Sequence, residues 1–141
     1  MKLWKSLTAA VLSMAFAASV FANPAGTWTT IDDKTGKKRA VVNVSVSGNT
    51  LSGTIMKVIP QPGDTGICSK CPGNFKDKKI QGLQFLWGLK KDSDTEWSGG
   101  HILDPKTGKI YRAKISQKGN KLYVRGYIGI SLLGRTQVWV R

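Results

Sequence analysis

Two cysteines, one histidine and eight acidic residues are the side chains from which this sequence could build reactive chemistry. Cys68-Ser69-Lys70-Cys71 admits three readings. As half of a metal site it would need two further ligands, and His101 alone is available. As a thioredoxin-type redox pair it lacks the strand-to-helix setting that lowers a thiol pKa. As a disulfide in an oxidising compartment it needs nothing more, and this reading is preferred. A ring this small removes about 2 kcal/mol of chain entropy in the entropic model, so its expected role is to stiffen the loop around it.

His101 sits beside Gly99 and Gly100, with no serine or cysteine nucleophile in a recognisable motif. A hydrogen-bonded or ligand-facing imidazole is therefore expected rather than a general base. The acids fall mainly in turns, at Asp32, Asp33, Asp92, Asp94 and Asp104. Turns at the ends of a barrel do not favour the converging carboxylate pair of glycoside chemistry. Asp32-Asp33-Lys34-Thr35-Gly36-Lys37 recurs almost letter for letter as Asp104-Pro105-Lys106-Thr107-Gly108-Lys109. Both copies mix carboxylates with lysines and fall short of a calcium ligand set. No catalytic residue, metal or cofactor is expected.

The aromatic residues point elsewhere. Trp28, Trp87, Trp97, Tyr111, Tyr123, Tyr127 and Trp139 all fall on strand-like runs, with Arg112, Arg125 and Arg135 nearby. A cavity rich in rings with a few polar groups is the usual composition of a ligand pocket. The expected lining is Trp87, Trp97, His101, Tyr111, Arg125 and Tyr127. The two tryptophans would give contact area; His101 and Arg125 would hold an anionic or polar head group.

The elements that must position these residues are short strands. Runs at 26–31, 38–46, 50–59, 80–91, 96–103, 110–117, 121–129 and 134–141 are β-branched, aromatic or alternating. Between most of them lie tight turns of Asp, Asn, Gly and Lys, and no helical period intervenes. Gly53 marks a bend or bulge in the third run. The connection 60–79 is long, with three prolines and both cysteines, a length that compact domains reserve for functional or mobile loops. Eight sequential antiparallel strands predict an all-β fold, a small up-and-down barrel that holds side chains or one small ligand.

Residues 1–22 read as a cleaved signal peptide, with Lys2 and Lys5 ahead of a short apolar run and Val20-Phe21-Ala22 before the cut. That run is too short to span a membrane comfortably. Removing it leaves 119 residues, enough for one barrel domain over 23–141, with 20 Lys+Arg against 8 Asp+Glu and a net charge of +12. Such a charge favours anionic surfaces. The bases are spread rather than blocked, and no helix-turn-helix, zinc-finger or ribonucleoprotein signature suggests a nucleic-acid partner.

Several motifs combine in one order. They are Gly26-x-Trp28, Asp32-Asp33-x-Thr35-Gly36, Cys68-x-x-Cys71, Trp97-x-Gly99-Gly100-x-Ile102-x-Asp104-Pro105-x-x-Gly108-Lys109-x-Tyr111 and Arg125-Gly126-Tyr127-x-Gly129-x-x-x-x-Gly134-Arg135-Thr136. Together they resemble the bacterial family called domain of unknown function 2147 over essentially all of 23–141. The resemblance implies an exported, lipocalin-like barrel. Gly26-x-Trp28 also resembles the start of lipocalin and avidin-like barrels, where a first-strand tryptophan packs under a last-strand arginine. Arg135 matches that closing role best by position, with Arg141 as runner-up.

The favoured function is a periplasmic binding protein that holds a small, mostly apolar or amphipathic ligand inside the barrel. The alternative is a filled barrel whose basic exterior docks on anionic components of the cell envelope. An enzyme ranks third, because no nucleophile–base pair or complete metal set can be assembled.

Overall fold

The computed structural model describes residues 23–130 and 134–141, so the expected signal peptide at 1–22 lies outside the described residues. Eight strands follow in order: β1 Gly26–Ile31, β2 Lys38–Ser47, β3 Thr50–Val58, β4 Gln84–Lys91, β5 Glu96–Leu103, β6 Ile110–Lys118, β7 Lys121–Tyr127 and β8 Gly134–Val140. Each pairs antiparallel with its neighbours, and β8 meets β1 to close the barrel. Two strands are shorter than their sequence runs by more than a single residue. β4 starts at Gln84 because Ile80 is taken up by a hydrogen bond to the Gly66 carbonyl, after which Gly82 turns the chain at φ 91°. β7 ends at Tyr127, ahead of Gly129 at φ 77°.

Alternation within each strand builds the core. Val42 and Val44, Leu51 and Ile55, Ala113 and Ile115, and Leu122 and Val124 are all buried, while their neighbours in sequence are more exposed. Trp28, Trp97 and Trp139 join them, with the Phe85 and Trp139 rings 5.7 Å apart. Burial of this kind contributes about 1.5–3 kcal/mol per large apolar side chain. The β3–β4 register shifts on both sides of Gly53, where an added Cβ would sit 3.2 Å from the Leu86 side chain. That glycine gives Leu86 its room in the interior.

The repeated six-residue turn has one conformation in both places. Asp32 and Asp104 each donate their N–H to the carbonyl of the closing lysine, Lys37 or Lys109, at 2.8 Å. Each aspartate carboxylate also accepts backbone N–H groups of its own turn, from Lys34 and Thr35 in the first and from Lys106 in the second. The Thr35 and then the Lys34 N–H hold the Asp32 carboxyl below its ordinary value of 3.8. Because the folded value is the lower one, this contribution to stability is intact above pH 3.8 and fades as pH falls through the folded value. A carbon-detected NMR titration should find Asp32 below 3.8; a midpoint at or above it would contradict the turn.

Candidate functional site

The 59–83 connection does not hang free. Cys68 and Cys71 are joined by a disulfide and buried in one cluster with Leu83 and Leu103. The Cys68 N–H donates to the Lys78 carbonyl at 2.8 Å, and the Cys68 carbonyl accepts from Asp77 at 3.0 Å. Asp77 takes a left-handed φ of 63° to make that return. A single 3-10 turn, Gly73–Phe75, then presents Phe75 to the outside of the barrel wall. Its ring lies 5.5 Å from that of Trp87 on β4, and Trp87 stacks on His101 of β5 at 5.7 Å. Phe75, Trp87, Leu83 and Gln84 line an open cleft of about 610 Å³, and Lys78 and Lys79 stand at its edge.

This arrangement divides the six residues expected to line one cavity. Trp97 and Tyr111 lie on the inner side, in step with buried Ile115 and Ala113. Trp87, His101, Arg125 and Tyr127 lie on the outer side. Trp87, His101, Arg112 and Tyr127 form one cross-strand row over β4–β7. The reason is local. The β5–β6 register shifts between Trp97 and Gly100, where Gly99 has φ 77°, so Trp97 and His101 no longer share a face. Gly88 at φ 75° does the same between Trp87 and buried Leu89. Arg125 and Tyr127 alternate with buried Leu122 and Val124, and the Arg125 guanidinium donates to Thr136 Oγ1 at 2.8 Å. Phe75, Lys78 and Lys79 were not among the expected residues. Their signal is a lone aromatic between the second cysteine and a lysine pair.

Inside the barrel, two buried polar atoms, Trp97 Nε1 and Gln117 Oε1, have no hydrogen-bond partner among the described residues. The Gln117 Nε2 donates to the Gly119 carbonyl at 3.1 Å, so only its oxygen is left over.

The closed end is built on Trp28, which is fully buried and donates its Nε1 to the Pro24 carbonyl at 2.8 Å. The arginine over its ring is Arg141, 4.2 Å from the centroid, and not Arg135. Trp139 pairs with Thr30 and Val140 with Thr29, which brings the end of β8 beside the latter half of β1 and carries Arg141 back towards Trp28. The Arg141 guanidinium then reaches the carbonyls of Asn23 and Ala25. Arg135 lies towards the other end of β8, where it makes a two-point ion pair with Asp33 in the first turn. That carboxylate raises the Arg135 pKa further above its ordinary value.

Comparison with known proteins agrees with this architecture. A solved structure described as "Protein HP1028 from the human pathogen Helicobacter pylori belongs to the lipocalin family" matches with a TM-score of 0.72 and 19% identity, covering 84% of this chain and 82% of that one. At that identity the likeness shows the fold. No curated protein matches. The model of a family described as "Uncharacterized protein conserved in bacteria (DUF2147)" matches residues 26–141. With that match running from the first residue of β1 to the last residue of the chain, the protein belongs to the DUF2147 family.

Proposed function

We propose that this protein is a binding protein of the periplasm that takes a small anionic amphiphile, with its site on the outer wall of the barrel. The supporting observation is the cleft between the disulfide loop and β4, where the Phe75 and Trp87 rings give apolar area and Lys78 and Lys79 give positive charge. His101 backs Trp87 as a stacked ring rather than acting on the ligand directly. The disulfide shortens the excursions of the loop, so less freedom is lost when a ligand orders it.

A second reading keeps the ligand in the lumen. It is favoured by Trp97 Nε1 and Gln117 Oε1, a buried donor and a buried acceptor that a guest with a hydroxyl or amide could satisfy.

Titration with 1-anilinonaphthalene-8-sulfonate, a fluorescent aromatic sulfonate, separates the two. The outer cleft predicts saturable binding that Trp87→Ala weakens by roughly tenfold, about the effect of losing one ring contact. Replacing Lys78 and Lys79 with glutamine should weaken it further and remove most of its salt dependence. Binding that survives Trp87→Ala but is lost on Trp97→Phe would move the site to the lumen.

A further inference from the structure

Because successive strands alternate in direction, the connections fall into two sets, one at each end of the barrel. One end carries 32–37, 59–83, 104–109 and residues 128–130 after β7; the other carries 48–49, 92–95 and 119–120. The first three connections at the loop end hold eight lysines, Lys34, Lys37, Lys70, Lys76, Lys78, Lys79, Lys106 and Lys109, against five aspartates, a net +3. The connections at the short-turn end hold Asp92 and Asp94 and no base, a net −2, with Lys90, Lys91, Lys118 and Lys121 on the strand ends that border them. Among the connections, the excess of lysine is thus carried at the loop end.

The loop end is also where apolar side chains stand in solvent. Ile128 and Ile130, just past the end of β7, are 61% and 60% exposed, and Ile110 at the start of β6 is 38% exposed. Gly129 lies between the two isoleucines at φ 77°. The loops that flank them are tied in place. The Arg135–Asp33 pair holds the first turn to β8, and Gly108 of the second turn abuts the Lys70 backbone. Exposed isoleucines at an end whose connections carry an excess of lysine match the chemistry of a bilayer surface with anionic headgroups.

We propose that the loop end of the barrel docks on an anionic lipid bilayer, with Ile128 and Ile130 entering the headgroup region and the lysines of that end resting on lipid phosphates. This surface is distinct from the Phe75–Trp87 cleft and stands on its own observations. A bilayer suits the pattern better than a folded partner because apolar tips with an excess of lysine at the same end need no shape-matched groove opposite them.

Co-sedimentation of the purified protein with vesicles tests it. Vesicles of phosphatidylglycerol mixed with phosphatidylcholine should bind the protein, pure phosphatidylcholine much less, and raised salt should weaken the binding. Ile128→Ser with Ile130→Ser should reduce the bound fraction roughly tenfold, since two large apolar groups lose their burial, with the thermal midpoint unchanged. Equal binding by the double variant, or no binding to the anionic vesicles, would overturn the proposal. A dimer that the double variant abolishes, without any vesicle binding, would overturn it in favour of a second copy of the chain. Loss of sulfonate-dye binding with vesicle binding intact would count against the cleft alone.

Discussion

Trp28→Ala should lower the free energy of unfolding by about 3–5 kcal/mol, the largest loss expected from any single side chain truncated in this barrel. The indole is fully buried, its N–H is spent on the Pro24 carbonyl, and Arg141 covers its face. Truncation leaves a cavity at the closed end and an arginine with nothing beneath it. Arg141→Leu should cost less, about 1–2 kcal/mol, by removing the cation–π contact and the hydrogen bonds to Asn23 and Ala25. Arg135→Leu should cost under about 1 kcal/mol, because its ion pair with Asp33 is largely exposed. Urea titrations of the three variants give the ranking. A greater loss at Arg135 than at Arg141 would refute the closure described above.

The second large effect comes from a matched pair of glycines. Gly36 and Gly108 occupy the same place in the repeated turn, at φ 71° and 75°. Alanine is disfavoured at either by about 1–2 kcal/mol, for backbone reasons alone. A Cβ at position 36 would meet nothing within 4 Å, whereas one at position 108 would run into the Lys70 carbonyl. Gly108→Ala should therefore cost about 2 kcal/mol more than Gly36→Ala, since backbone on a disulfide-bonded loop cannot step aside cheaply. The same substitution should weaken dye binding as well, because the loop that carries Phe75 is displaced. Equal losses at the two glycines would mean that the loop does not rest on the β5–β6 turn.

Strand positions and turns were legible in the sequence for a simple reason. Alternation and the Asp-x-Lys-Thr-Gly-Lys turn are local signals, and the eight strands appear where those signals lie, within a few residues. Facing was not legible. Trp97 and His101 have the same parity on paper, but one extra residue at Ser98–Gly99 sends them to opposite sides of the wall. Glycine at that position allows a bulge without requiring one, so the sequence leaves both faces open. The cleft was hidden for a different reason. Phe75 belongs to a three-residue turn inside a loop without periodicity, and its approach to Trp87 is a long-range event that spacing does not encode. Arg141 over Trp28 is similar, since the register of β8 against β1 decides which arginine arrives.

That last register has a consequence for how the molecule assembles. Every other pair of adjacent strands joins neighbours in the chain, and all of these but β3–β4, which wait on the 59–83 connection, can zip up as soon as a short link forms. The β1–β8 seam alone joins the two ends of the domain, and it does so through two residue pairs, Thr29 with Val140 and Thr30 with Trp139, against seven between β7 and β8. Its closure must bear the ordering of nearly the whole chain for a small return in hydrogen bonds. A curved open sheet is thus the natural predecessor of the barrel on the folding route. Its last step is a latch, made when Arg141 drops onto Trp28. The same latch is where the native wall comes apart first, so amide exchange along β1 and the end of β8 should follow opening of this seam rather than unfolding of the whole domain.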